Sequence, residues 1–179
     1  KRQVCETSTG FIRAIANLTR HEVESGAVEY GEDFNHAIGT AVEPGSTFKL
    51  ASLMACMEAG MAVTDSVDTG DGEIYFYNKR MRDSNHKDGG HGEISLGKVF
   101  EVSSNVGSAL AVKTTFEDKP QAFLDGLKRI GVADKTGIRY VGEAEPKVKT
   151  STDDRNWTGL SLTQMAIGYE VTQTPLQTL

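Results

Sequence analysis

The chain has 179 residues, of which 25% are charged and 38% hydrophobic, with 19 glycines and two cysteines. That is enough for one domain with a real core, and the balance excludes a disulfide-stapled mini-protein, a coiled coil or wholesale disorder. Lys and Arg number 19 against 25 Asp and Glu, a net charge of −6, so there is no basic field to hold a polyanion and nucleic acid is not expected as a partner.

Two short β-type runs, Gln3 to Thr7 and Phe11 to Leu18, flank Ser8-Thr9-Gly10 and predict an opening hairpin. Residues 19–43 are polar and glycine-spotted, with weak signal. From Ser46 to Ala62 there is no proline and apolar residues fall on nearly all sides, which predicts a buried helix. Gly70, Gly72 and Ile74-Tyr75-Phe76-Tyr77 predict a turn and a strand, followed by a solvated polar loop from Asp83 to Gly92.

Ser95 is placed to cap a helix with Leu96, Val99 and Phe100 on one face. Ser103-Ser104-Asn105 interrupts it before a second helix through Val106, Ala109, Leu110 and Lys113. Asp118-Lys119-Pro120 opens another, with Phe123, Leu124, Leu127 and Ile130 on one face and Gly131 as its stop. Residues 131–156 read as loop, Leu160 to Ala166 as a short helix, and Thr174-Pro175 as an N-cap and first turn. With no initiator Met and an end four residues after Pro175, both termini read as cut from a longer protein.

A serine becomes a nucleophile only if something takes its proton, and a lysine one helical turn later can do so when its charge is disfavoured. Ser46 and Lys49 have that spacing at the start of the predicted buried helix, where burial and the positive helix end both favour a neutral amine. Gly45 allows a substrate close to the Ser46 N–H, a natural oxyanion donor. With 12 serines and 11 lysines, about 0.7 Ser-x-x-Lys matches arise by chance. There are three. Ser84-Lys87 falls in the polar loop, and Ser95 is explained as an N-cap.

Ser103-Ser104-Asn105, the single Ser-x-Asn in the chain, decides between the remaining two. Its hydroxyl and amide can relay a proton and hold a substrate carbonyl. Ser95 would lie on the order of 12 Å from Ser103 along one helix, too far to share a proton. Ser46, 57 residues away, is free to be brought beside it by the fold.

Glu43-Pro44-Gly45-Ser46-Thr47-Phe48-Lys49 resembles the first motif of penicillin-binding proteins, the serine DD-transpeptidases, and Glu101-Val102-Ser103-Ser104-Asn105-Val106-Gly107 resembles their second. Ala166-Ile167-Gly168-Tyr169-Glu170 with Thr174-Pro175-Leu176-Gln177 is similar to the stretch before their last helices, and Thr9-Gly10-Phe11-Ile12-Arg13-Ala14 to their first hairpin. The resemblance spans nearly the whole chain, in order, and points to the class B, monofunctional, division-type branch.

It implies the α/β penicilloyl-serine transferase fold, β-lactamase-like, with helices packed on an antiparallel sheet and the later strands missing. It further implies acylation of Ser46 by the D-Ala-D-Ala end of a peptidoglycan stem peptide, with Lys49 as base, Ser103 and Asn105 in proton transfer, and Ser104 and Asn105 at the substrate. Penicillin and other β-lactams would mimic the first step. Membrane anchoring at the extracytoplasmic face, a cell-wall glycosyltransferase and division proteins are family implications for the parent.

The family's third motif, Lys-Thr-Gly on an inner strand, is expected beyond Thr174-Pro175. Lys135-Thr136-Gly137 reads as a decoy in a loop, so the piece is expected to bind β-lactams poorly and, with open sheet edges, to self-associate. Two alternatives stay open: a serine β-lactamase or β-lactam sensor, and a scaffold module in which Ser46 is only a helix cap. No cofactor or metal is expected: the His86 to His91 loop lacks ligand spacing, and the Asp65 to Glu73 carboxylates lack that of a calcium loop. Cys5 and Cys56 could pair if the domain is extracytoplasmic, but Cys56, inside a helix, reads as a buried free thiol.

Overall fold

The computed structural model describes residues 2–179. Strands β1 (Arg2–Cys5) and β2 (Ile12–Ala16) form the predicted antiparallel hairpin, its turn closed by a 2.8 Å bond from Gly10 N to the Glu6 carbonyl. The second predicted run breaks at Asn17, which is buried and donates to Asn35 Oδ1 at 2.8 Å. Beyond it, β3 (Leu18–Glu22) and β4 (Val28–Glu32) form a second hairpin, most of it in the polar, glycine-spotted stretch of weak signal. Its strands are largely exposed on both faces, so the alternation that marks a half-buried strand never enters the sequence.

After the single turn α1 (His36–Gly39), the expected helix over 46–62 is shorter than the sequence suggests. Gly45–Phe48 winds as a 3-10 turn, α2 runs over Lys49–Glu58, and Gly60 at φ 108 ends it. Next come β5 (Ser66–Asp68), the hairpin of β6 (Glu73–Phe76) and β7 (Lys79–Arg82), and β8 (Glu93–Ser95), which pairs back to β5. The loop before β8 is more than solvated polar chain. Gly90 presses on the 71–72 backbone so closely that a Cβ there would sit 2.2 Å from the Asp71 carbonyl carbon, and Asp83 is 3% exposed.

Helices α3 (Leu96–Glu101) and α4 (Asn105–Phe116) reproduce the predicted helix, break and helix, with Ser95 and Ser104 as N-caps. Leu96 and Val99 are buried, but Phe100, one residue and about 100° further round, is 48% exposed, contrary to expectation. Helix α5 (Pro120–Ile130) stops at Gly131, at φ 89. Helices α6 (Ser161–Met165) and α7 (Pro175–Thr178) follow, the second closed by a Thr174–Gln177 capping box.

Helices α2, α4 and α5 pack together around Phe48, Cys56, Val112, Phe116, Phe123 and Leu127. Small residues permit the approach: a Cβ on Gly126 would lie 3.2 Å from that of Ala55. Leu127 has no exposed surface in this core, so Leu127→Ala is expected to cost about 2–5 kcal/mol, read as a lower urea midpoint. A smaller cluster of Phe76, Met81, Val106, Ala109 and Ile167 ties the β6–β7 hairpin to α4. The fold is mixed α/β, as expected, but its strands form four separate antiparallel pairs rather than one sheet, because no pair has a third strand among the described residues.

Candidate active site

Lys49 opens α2 and is 1% exposed. Its Nζ donates to the Ser103 carbonyl at 2.6 Å and to the Ser103 hydroxyl at 3.1 Å, so two residues 54 apart in sequence meet. Burial pushes the Lys49 pKa down from 10.5 to about 8, with the Asp83 carboxylate pulling the other way. On the order of a tenth of the molecules then carry a neutral amine at pH 7.

Ser103 sits at φ 54, an uncommon conformation for a residue with a side chain, and this turn between α3 and α4 brings its carbonyl and hydroxyl to the lysine. Ser104 departs from its expected place at the substrate. It is 1% exposed, its hydroxyl donates to Asp83 Oδ2 at 2.6 Å and accepts from Gly107 N at 2.8 Å, and it therefore serves as the cap of α4. Asn105 is half-buried beside it, with Nδ2 donating to the Arg82 carbonyl at 2.8 Å.

Ser46 is exposed in the 3-10 turn that leads into Lys49, and its hydroxyl makes no hydrogen bond among the described residues. The cap positions of that turn and of α2 fall to Pro44 and Phe48, which removes the reading of Ser46 as a helix cap. Gly45, at φ 57, has open space where a Cβ would stand. Behind it lies Gly168, at φ 81, whose carbonyl accepts from Gly45 N at 3.2 Å. A Cβ on Gly168 would fall 2.1 Å from the Gly45 oxygen. Glu170 N adds a 3.2 Å bond to Glu43, and Lys149 pairs with the Glu170 carboxylate, so residues 168–170 form the back of the turn that carries Ser46.

The structure thus unites Lys49 with Ser103, puts Asn105 on the same turn, and leaves the Ser46 hydroxyl unbonded one turn away. The rival pairs are occupied or exposed: Ser95 caps α3 while Lys98 pairs with Glu101 at 2.9 Å, and Ser84 and Lys87 are exposed. Lys135-Thr136-Gly137 lies in no strand, and Glu143 accepts from Thr136 N at 2.8 Å. Both cysteines are free, and burial pushes the Cys56 thiol up to about 11. Sequence reasoning missed Asp83 and Gly168 as parts of this centre, because the contacts that tie them to it, Asp83 with residues 104–106 and Gly168 with Gly45, are with residues distant in the chain.

The chain is 26% identical over 178 residues to penicillin-binding protein PbpB of Mycobacterium tuberculosis, covering 97% of this chain and 25% of that one. It is also 26% identical over 174 residues to peptidoglycan D,D-transpeptidase FtsI of Escherichia coli K12, covering 96% and 28%. It therefore spans about a quarter of the length of these relatives. Among solved structures, the transpeptidase domain of Burkholderia pseudomallei penicillin-binding protein 3 superposes with a TM-score of 0.67 at 23% identity, over 80% of this chain and 41% of that one. Penicillin-binding protein 3 of M. tuberculosis in complex with aztreonam gives 0.67 at 26% identity, over 80% and 30%. The family model of the penicillin-binding protein transpeptidase domain matches residues 4–179, and the chain belongs to that family.

Proposed function

We propose that this chain carries the nucleophile and proton relay of a class B, division-type D-Ala-D-Ala transpeptidase that cross-links peptidoglycan and is acylated by β-lactams. The observation that carries the reading is the sealed Lys49 amine hydrogen-bonded to the Ser103 hydroxyl, one turn from an exposed serine that caps nothing. Neutral Lys49 takes the Ser46 proton as the oxygen attacks the penultimate D-Ala carbonyl carbon. Ser103 passes a proton to the departing D-Ala amine, Asn105 holds the stem-peptide amide, and a second strand's amine then displaces Ser46 from the ester. A β-lactam stops at the ester because its leaving group stays tethered. The cell-envelope setting and the glycosyltransferase and division partners of the parent belong to the same proposal.

Intact mass after penicillin treatment tests it, on this chain and on one continued past Leu179, each with Ser46→Ala. A single adduct is expected on the continued chain, absent in its Ser46→Ala variant, where acylation falls to background; an equal adduct on the shorter chain would mean that the first two motifs suffice for acylation. An adduct that is rapidly lost to water would favour the β-lactamase reading instead. Folded protein of both lengths that never shifts in mass would overturn the proposal.

A further inference from the structure

Asp83 follows β7 and is 3% exposed. Its carboxylate accepts from three donors on one turn: Ser104 Oγ at 2.6 Å, Asn105 N at 2.6 Å and Val106 N at 3.0 Å. Two of these are backbone N–H groups at the start of α4 that have no partner within the helix, and the positive helix end favours an anion there. The third is the hydroxyl that caps the same helix at Gly107. Asp83 is itself fixed, its N donating to the Gly72 carbonyl at 2.8 Å and its carbonyl 2.9 Å from His86 Nδ1. The Ser103–Asn105 turn is therefore anchored from behind by a buried carboxylate while Ser103 meets Lys49.

We infer that Asp83 is a positioning residue for the Ser46–Lys49–Ser103 centre: its carboxylate fixes the turn on which the Lys49 ammonium docks and supplies the negative charge behind it. Its effect on rate presupposes the acyl-transfer reading above, whereas its effect on the ammonium does not. Helices α3, α4 and α5 pack against α2, and the polar groups bonded to Lys49 are the uncharged Ser103 carbonyl and hydroxyl. Asp83 is the charged group whose field reaches the lysine. Removing that charge leaves desolvation unopposed, so the ammonium gives up its proton at lower pH.

The test follows the Lys49 Cε resonance in lysine-labelled protein through a pH titration, assigned by its loss in Lys49→Met, beside the pH profile of penicillin acylation. Asp83→Asn keeps the shape and removes the charge. It is expected to move the Lys49 midpoint below the wild-type value near 8, and the acid limb of the acylation profile with it. Asp83→Ala leaves three donors without their acceptor and is expected to acylate about 10²-fold more slowly. Asp83→Glu, charged but longer, should restore the midpoint more fully than the rate.

A midpoint in Asp83→Asn equal to wild type would overturn the assignment, as would folded Asp83→Ala acylating within about threefold of wild type. Should Asp83→Ala fail to fold, the isosteric Asp83→Asn decides the question alone. A wild-type protein that never acylates, with a midpoint that still moves in Asp83→Asn, would remove the transpeptidase reading and leave the assignment of Asp83 standing.

Discussion

Lys49→Met is expected to slow β-lactam acylation of Ser46 by about 10²–10⁴-fold, the range a positioned general base supplies, and to remove a pH dependence from the stability of the fold. Methionine keeps the length and flexibility of the lysine stem, so the core around α2 stays filled. What disappears is a buried amine whose pKa is lowered from 10.5 to about 8. The folded wild-type chain binds that proton more weakly than the unfolded chain does. Stability gained from Lys49 therefore rises as pH goes from about 8 to 10.5, by about 3 kcal/mol in total, and the penalty is complete below about 8.

Lys49→Met should lack that rise. Cys56 titrates oppositely in the same region, because its thiol is raised from 9.0 to about 11, but it does so in both proteins. The difference between their urea midpoints from pH 7 to 10 thus isolates Lys49. Parallel curves would mean that the amine is not desolvated in solution, and the argument for a neutral base at Ser46 would lose its physical footing.

Much of this centre was legible in the sequence because its parts are local. Ser46 and Lys49 are one turn apart, and Ser103 to Asn105 is a capping break between two apolar helices, so spacing and polarity alone mark both. Their meeting was legible only as a possibility, since the stretch between Lys49 and Ser103, 54 positions apart, carries no sign of the packing that joins them. Ser104 was misplaced at the substrate because a hydroxyl in a Ser-x-Asn run looks the same whether it faces a cleft or Asp83. Asp83 itself hid in a run of polar residues, where a buried carboxylate and a solvated one have the same composition. The β3–β4 hairpin stayed unread for the opposite reason: with both faces exposed it needs no hydrophobic pattern at all.

Gly168→Ala is expected to cost about 2–4 kcal/mol of stability and to slow Ser46 acylation by about 10²-fold, although residue 168 has no place in the proposed chemistry. Two separate effects add. At φ 81 any side chain strains the backbone, and at this position the new carbon would also lie 2.1 Å from the oxygen, 2.7 Å from the carbonyl carbon and 2.8 Å from the Cα of Gly45. All three are backbone atoms, so no rotamer change relieves the overlap. The 168–170 segment resists retreat, because Glu170 N is bonded to Glu43 and the Glu170 carboxylate to Lys149. Gly45 must then move, and the adjoining Ser46 shifts relative to Lys49. Gly26→Ala separates the two effects: Gly26 has a similar φ of 77 in the β3–β4 turn but nothing within 4 Å of the added carbon. It should show the backbone cost alone, about 1 kcal/mol, with wild-type acylation. Equal stability losses in the two variants, with acylation intact in both, would mean that the Ser46 turn does not depend on Gly168 for its position.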